Sequence, residues 1–274
     1  MLIAAIDPME QFLIHKVLAL PPVTVGGLTM DLSITNAVVM MLVAGMLISL
    51  LFAASAKGAL VPGRMQALGE TLFDLIDGTL VTPIIGHHGK PYIPFVLTIF
   101  MLVLMMNLMG VVLSVGGVAG LHLNFTPTAQ LAVTATLAVL TFVSVLVIGF
   151  VKNGLNMYKL FVPSGMPLLM VVFMVPIEMI SFFVRPLTLA MRLFGNILGG
   201  HVVMNIFASF VVALGALGLT GGLASLGFLG AGASLAMVVA LTGLELVVAG
   251  LQAFVFAALA TVSLNEVVNL GHGH

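Results

Sequence analysis

The sequence predicts an all-α integral membrane protein with three ordinary transmembrane helices, an interfacial amphipathic helix and a C-terminal hairpin of two long, steeply tilted helices. Of its 274 residues, 61% are hydrophobic and 6% are charged, whereas soluble domains carry about 25% charged residues. Several apolar runs exceed the ~20 residues that a membrane-spanning helix needs. These runs are continuously apolar rather than alternating, which favours helices over a β-barrel.

The chain is interpreted as a single membrane domain, 1–274, because its polar stretches are too short for a soluble domain. The N-terminal residues contain no basic segment ahead of their apolar ones, so we expect no cleaved signal peptide. The predicted elements, in order, are an outer N-terminal segment at 1–33, a span at 34–54, an interfacial helix at 63–82, spans at 95–115 and 130–151, and hairpin helices at 168–212 and 233–268.

The interfacial helix is predicted from an amphipathic pattern. Glu70, Asp74 and Asp77 fall on one side of it. Apolar residues recur at helical spacing opposite these acids, a pattern typical of a helix that lies along the membrane surface. These apolar residues are Leu68, Leu72, Leu75, Ile76 and Leu80.

The last two apolar runs are too long for upright helices. As a helix, 168–212 would extend about 67 Å, against a hydrocarbon core of about 30 Å. Arg185 and Pro186 cannot reverse the chain within two residues, although the proline can kink it. The final run is also overlong, and a Gly-rich stretch at 215–232 separates the two. We therefore expect a helical hairpin tilted well beyond the ~20° average.

Basic residues in the connections indicate the orientation. Placing those that flank the first three spans in the cytoplasm satisfies the positive-inside rule. The N-terminus is then outside, the C-terminus is cytoplasmic, and the connections at 116–128 and 215–232 are outside. The basic residues used are Lys57, Arg64, Lys90, Lys152 and Lys159.

Each long helix carries a stripe of polar residues along one face. An arginine at bilayer depth costs about 2.5–3.5 kcal/mol on insertion scales, and ionisable residues inside a bundle are usually functional. His201, nine residues after Arg192, points to roughly the opposite face. The first stripe is Glu178, Ser181, Arg185, Thr188, Arg192 and Asn196, and the second is Thr242, Glu245, Gln252, Ser263 and Glu266.

Residue spacing alone leaves alternatives open. The polar stripes could have a purely structural reason, namely internal ion pairs between Glu178 and Arg185 and between Arg192 and Glu245. The predicted orientation instead places His201 and Glu245 in the outer half of the membrane, and Glu178 and Glu266 in the inner half. That arrangement suggests two offset half-channels that meet near Arg192. A stand-alone secondary transporter with a midplane site is the alternative function, although transporters usually show two related halves; a purely structural scaffold leaves the stripes unexplained.

The segment RPLTLAMRLFGNILGGH, 185–201, resembles the signature of subunit a of F-type ATP synthases, the stator that carries protons past the rotating c-ring. Further matching segments follow the family's order, and they are MNLMG at 106–110, TPTAQLAVTATLA at 126–138, PIEMISFFVRPLTL at 176–189 and ELVVAGLQAFVF at 245–256.

The resemblance implies a role for each matched residue. Arg192 faces the ring carboxylate and blocks leakage between the half-channels, while Gly195, Gly199 and Gly200 let ring helices approach. Glu178 lines the inner half-channel, and Ser181, Arg185, Thr188 and Glu266 are further candidates for the path. The outer half-channel is lined by Asn196, His201, Glu245 and Gln252.

The resemblance also implies partners: the c-ring facing Arg192, the peripheral-stalk subunit b, the remaining ATP synthase subunits and the lipid bilayer. The implied location is the bacterial inner membrane. Many relatives carry an acid where Gln130 stands and an asparagine where Ala132 stands, which puts a contribution of the third span in doubt. The His201 and Glu245 pair resembles the mitochondrial arrangement.

The chain itself shows no sign of nucleotide chemistry. It has no Walker A pattern, and it contains no cysteine, which excludes disulfides, thiolate metal sites and thiol nucleophiles. We expect no cofactor, no metal and no nucleic-acid partner. Any enzymatic role is that of a necessary part of a proton-translocating synthase.

Overall fold

The computed structural model describes residues 16–18, 23–25, 28–30, 33–56, 61–116, 126–161, 168–221 and 225–270. Most of the predicted N-terminal segment and of the connection at 116–128 lies outside the described residues, as does Lys57.

Helices dominate the described part of the chain, which confirms the all-α class. Five of them are long and apolar enough to cross a membrane. The α-helices are α1 at Asn36–Ser55, α2 at Arg64–Ile76, α3 at Thr82–Ile85, α4 at Ile93–Gly116, α5 at Leu131–Asn153, α6 at Leu168–Gly218 and α7 at Gly227–Val268. A π-helix at Asp77–Val81 and 3-10 turns at His87–Tyr92, Pro127–Ala129 and Gly154–Leu160 connect them.

Two small antiparallel strand pairs precede α1. β1 at Lys16–Leu18 pairs with β4 at Ile34–Thr35, and β2 at Val23–Val25 pairs with β3 at Leu28–Met30. The sequence pattern did not predict these strands, because three residues are too few for an alternating pattern to be recognised.

The Gly-rich stretch expected to separate the last two helices is partly helical. α6 continues to Gly218 and α7 begins at Gly227. A Cβ on Gly218 would lie 2.9 Å from Phe228, and one on Gly230 would lie 2.9 Å from Leu214. The glycines therefore allow the two helix ends to pack closely.

The chain divides into two compact units. The first comprises 1–43, 106–130 and 194–251, and the second comprises 44–105, 131–193 and 252–274. Each unit contains a long-range hydrogen bond donated by an asparagine side-chain amide. In the first, Asn107 Nδ2 donates to the Ala249 carbonyl at 3.2 Å. In the second, Asn153 Nδ2 donates to the Val267 carbonyl at 2.7 Å.

Candidate functional site

The first unit contains a buried acid–imidazole pair. His201 on α6 and Glu245 on α7 have side chains that are only 2% and 5% exposed, and His201 Nε2 lies 3.5 Å from Glu245 Oε1. Thr126, which precedes the 3-10 turn at Pro127–Ala129, places its hydroxyl 2.9 Å from the same Nε2. One imidazole nitrogen therefore faces two oxygens, and the group can accept, hold or pass a proton.

Several polar atoms of the first unit, two of them on Glu245 itself, are buried and lack a hydrogen-bond partner within the described part of the chain. They are both carboxylate oxygens of Glu245, Oδ1 of Asn107 and the hydroxyl of Thr128. Buried polar atoms are nearly always hydrogen-bonded in native structures, and exceptions point to bound water or to a functional role. This cluster is therefore equipped to bind water and protons.

Gly200 provides the space that the Glu245 carboxylate occupies. A Cβ on Gly200 would lie 3.1 Å from Glu245 Oε1. The side of Gly200 on which a Cβ would stand thus faces α7 of the same chain. The approach of partner helices to Gly195, Gly199 and Gly200 stays a prediction. A Cβ on Gly195 or Gly199 would meet nothing within 4 Å in the described structure.

The second unit contains an ion pair between Arg185 on α6 and Glu266 on α7. The two side chains are 36% and 29% exposed, and the Arg185 guanidinium carbon lies 5.8 Å from the centre of the Phe182 ring. The sequence left open a pairing of Arg185 with Glu178, but in the structure Arg185 pairs with Glu266, a partner that the sequence did not suggest.

A cavity of about 330 Å³ opens beside this ion pair. Its polar lining residues are Thr141, Arg185, Thr188, Arg192, Ser263 and Glu266. Arg192 is exposed, and its guanidinium has no carboxylate within 4.0 Å among the described residues. The cavity therefore combines two arginines with a single carboxylate, and an additional carboxylate is the group that its charge favours.

Comparison with known proteins identifies the family. The family model described as ATP synthase A chain matches residues 37–265. This chain belongs to that family. The match spans the buried acid–imidazole pair, Arg185 and Arg192, and ends one residue before Glu266.

Relatives from several bacteria are similar over nearly their full length. ATP synthase subunit a of Nitrobacter hamburgensis is 43% identical, over 97% of this chain and 99% of the relative. ATP synthase subunit a 1 of Bradyrhizobium sp. is 44% identical, over 97% of this chain and 100% of the relative. ATP synthase subunit a of Rhodopseudomonas palustris is 41% identical, over 97% of this chain and 100% of the relative.

Membership of the ATP synthase A chain family makes this a multi-pass bacterial membrane protein of the F-type ATP synthase membrane sector. Other ATP synthase subunits are its partners, and proton transport is the activity expected of the family. The resemblance recognised in the sequence is thereby confirmed.

The remaining predicted site residues lie on the same two helices. Glu178 is half-buried, while Ser181, Thr188 and Asn196 are exposed. Gln252 is buried, at 5% exposure.

Sequence reasoning did not single out Thr126 or Asn107. Both lay inside segments that match the family, and Asn107 is the only amide in the apolar run 95–115. An isolated amide in an apolar span is a signal for a buried polar contact. Thr126 gave no such signal, because its partner lies 75 residues away in the sequence.

Proposed function

We propose that this chain supplies two offset proton half-channels of an F-type ATP synthase, separated by Arg192. Protons pass along them to and from the carboxylates of the c-ring, so that proton flow drives rotation and ATP synthesis. Each proton gains about 2.3 kcal/mol per 100 mV of membrane potential. The chain performs no nucleotide chemistry itself.

The observation that carries this proposal is the state of Arg192. It is exposed, lines a cavity, and has no carboxylate partner among the described residues, although α6 around it is a 51-residue apolar helix. A guanidinium stays protonated and offers five donors in a fixed plane. Such a group is suited to meet a carboxylate that arrives on another subunit and to keep that carboxylate ionised as it passes.

For the outer half-channel we propose His201 and Glu245 as the central relay, with Asn196 and Gln252 along the path. This assignment is supported by the 3.5 Å contact of the buried pair and by the carboxylate oxygens of Glu245, which have no hydrogen-bond partner among the described residues. A neutral imidazole carries one donor and one acceptor nitrogen, so it can take a proton on one side and release it on the other.

For the inner half-channel we propose the polar face of α6 and the facing end of α7. Its members are Glu178, Ser181, Arg185, Thr188 and Glu266. The cavity beside the Arg185–Glu266 pair supports a water-filled path. Because Glu266 neutralises Arg185, one arginine charge, that of Arg192, remains to oppose proton leakage through the cavity.

The proposed topology follows from the same assignment. The N-terminus is outside, the C-terminus is cytoplasmic, α2 lies along the interface, and α6 and α7 cross the membrane at a steep tilt. The c-ring faces Arg192, and peripheral-stalk subunit b binds elsewhere on the chain. The length of α6 supports the tilt, since 51 residues exceed the ~20 that an upright span needs.

The test is the Arg192→Ala variant in inverted membrane vesicles that carry the assembled synthase. We expect ATP-driven proton pumping, followed by quenching of a pH-sensitive dye, to be abolished while the complex still assembles. Arg64→Ala is the matched control, because Arg64 is an exposed arginine at the start of α2, and it should pump normally. Normal pumping by Arg192→Ala would refute the proposal.

Purification in mild detergent separates this proposal from a stand-alone transporter. A synthase subunit should bring with it a ring of small carboxylate-bearing subunits and a soluble ATPase. A free chain that transports ions by itself would support the transporter instead.

A further inference from the structure

Thr126 is the structural neighbour of the buried acid–imidazole pair to which neither the proposed path nor the sequence assigned a role. It is 6% exposed, and its hydroxyl lies 2.9 Å from His201 Nε2. The same nitrogen lies 3.5 Å from Glu245 Oε1. The hydroxyl and the carboxylate therefore share one ring nitrogen, and the hydroxyl makes the shorter contact.

The position of Thr126 is fixed by α4. A Cβ on Gly110 would overlap both Oγ1 and Cγ2 of Thr126 and would lie 2.7 Å from its Cβ. The threonine side chain therefore packs directly on the α4 backbone, in the space that a glycine leaves. Asn107, one turn earlier on α4, bonds to the Ala249 carbonyl of α7, one turn beyond Glu245. A single stretch of α4 thus supports both the threonine and the helix that carries the carboxylate.

A hydroxyl differs from a carboxylate in how it can bond an imidazole. It donates to Nε2 when that nitrogen is unprotonated and accepts from it when it is protonated, because a hydroxyl is both donor and acceptor. An ionised carboxylate only accepts. Thr126 can therefore bond Nε2 whether or not that nitrogen carries a proton, whereas an ionised Glu245 cannot bond Nε2 when it is unprotonated.

We propose that Thr126 is a positioning residue of the outer relay, which holds the His201 ring so that Nε2 stays directed at Glu245 in both protonation states. This inference rests on the proposed proton path. The proton that leaves Nε2 is taken up by Oε1 of Glu245, and the hydroxyl of Thr126 only rotates. The hydroxyl neither gains nor loses a proton over the transfer.

The test compares Thr126→Val, Thr126→Ser and a control, Thr136→Val, in vesicles that carry the assembled synthase. Valine keeps the shape and removes the hydroxyl, while serine keeps the hydroxyl. Thr136 is an exposed threonine whose hydroxyl donates to the Ala132 carbonyl of its own helix and, among the described residues, to no other helix. We expect Thr126→Val to lower the ATP-driven pumping rate about three- to tenfold, the range for one lost hydrogen bond, while Thr126→Ser and Thr136→Val stay within about twofold of the parent.

Gly110→Ala provides an independent perturbation. Its Cβ takes the space of the Thr126 side chain, so it should lower pumping to a similar degree although the hydroxyl remains in the chain. If Thr126→Val does not assemble, Thr126→Ala removes the hydroxyl without adding volume. Failure of both to assemble while Thr126→Ser is intact would overturn a role confined to positioning the relay.

Other outcomes also decide the question. Unchanged pumping in Thr126→Val, or a loss in Thr126→Ser as large as in Thr126→Val, would overturn the inference. Arg192→Ala in the same vesicles separates this failure from that of the proposed function. If Arg192→Ala abolishes pumping and Thr126→Val has no effect, only the role of Thr126 is refuted; if Arg192→Ala pumps normally, the proton path itself is refuted.

Discussion

Exchanging the members of the buried pair, as His201→Glu with Glu245→His, tests whether the two side chains act as one site. When a transferred proton rests on the imidazole, His201 and an ionised Glu245 carry opposite unit charges, which at 3.5 Å attract by about 5 kcal/mol for an effective dielectric constant of about 20. Either single change places two acids or two imidazoles at this distance, so the opposite charge that stabilises the transferred proton is lost. Leaving one member of a buried pair without its partner costs about 3–5 kcal/mol.

The exchange restores one acid and one imidazole at the same separation. A penalty of about 3 kcal/mol on a proton-transfer step slows it about 150-fold, so each single variant should pump close to background. We expect the exchanged variant to retain at least about tenfold more activity than either single variant. The packing around Gly200 limits full recovery, because a larger ring at position 245 must fit where a Cβ would lie 3.1 Å from the carboxylate.

The assay is ATP-driven proton pumping in inverted vesicles, normalised to the amount of assembled synthase and to its ATP hydrolysis. Normalisation separates slow proton transfer from poor assembly. If the exchanged variant is as inactive as the single variants while assembling normally, the two residues do not form a shared relay, and the reasoning from their contact is refuted.

Three further predictions concern the packing, the ion pair and the topology. Gly149→Ala should lower the free energy of unfolding by about 1–3 kcal/mol, because its Cβ would overlap an α7 side chain; thermal unfolding in detergent measures this. Glu266→Gln should reduce thermal stability more than the double change with Arg185→Gln, since the single change leaves a cation unpaired in the cavity. Because the chain has no cysteine, single cysteines at Lys90 and Thr220 report topology: an impermeant maleimide should label Thr220→Cys from outside and Lys90→Cys only in inverted vesicles.

Each of these predictions has a control. Gly45→Ala should not destabilise the protein, because a Cβ there meets nothing within 4 Å in the described structure. An equal loss of stability in Glu266→Gln and in the double variant would contradict a significant ion pair. Labelling of both cysteines from the same side would overturn the proposed orientation.

The sequence was sufficient to predict features that depend on the composition of a whole helix, such as its length and its polar face. The length of α6 and α7 was predictable because their apolar runs are longer than an upright membrane-spanning helix needs. The polar stripes were predictable from helical periodicity. The proximity of His201 and Glu245 was predictable, because residue counting gives the two side chains the same expected depth. Counting residues along two antiparallel helices is enough to compare the expected depths of two side chains.

The sequence was insufficient where the answer depends on packing between distant segments. Arg185 lies on the same helical face as Glu178, two turns away, but it pairs with Glu266 on α7. The register of α7 against that turn of α6 decides which acid is within reach. The hydroxyl of Thr126 reaches His201 only because Gly110 leaves room on α4. The register between α6 and α7 and the close approach at Gly110 produce no periodic pattern of residues, so the sequence alone does not reveal them.

The close packing of Gly218 on Phe228 has a consequence for biogenesis. Contacts between residues close in sequence form early and cost little loop-closure entropy, so the turn between α6 and α7 is a natural starting point for a hairpin that zips from that end. We expect His201 and Glu245 then to meet as the helices enter the bilayer. The acid and the imidazole insert together in this scheme, so that neither bears the cost of entering lipid without its partner.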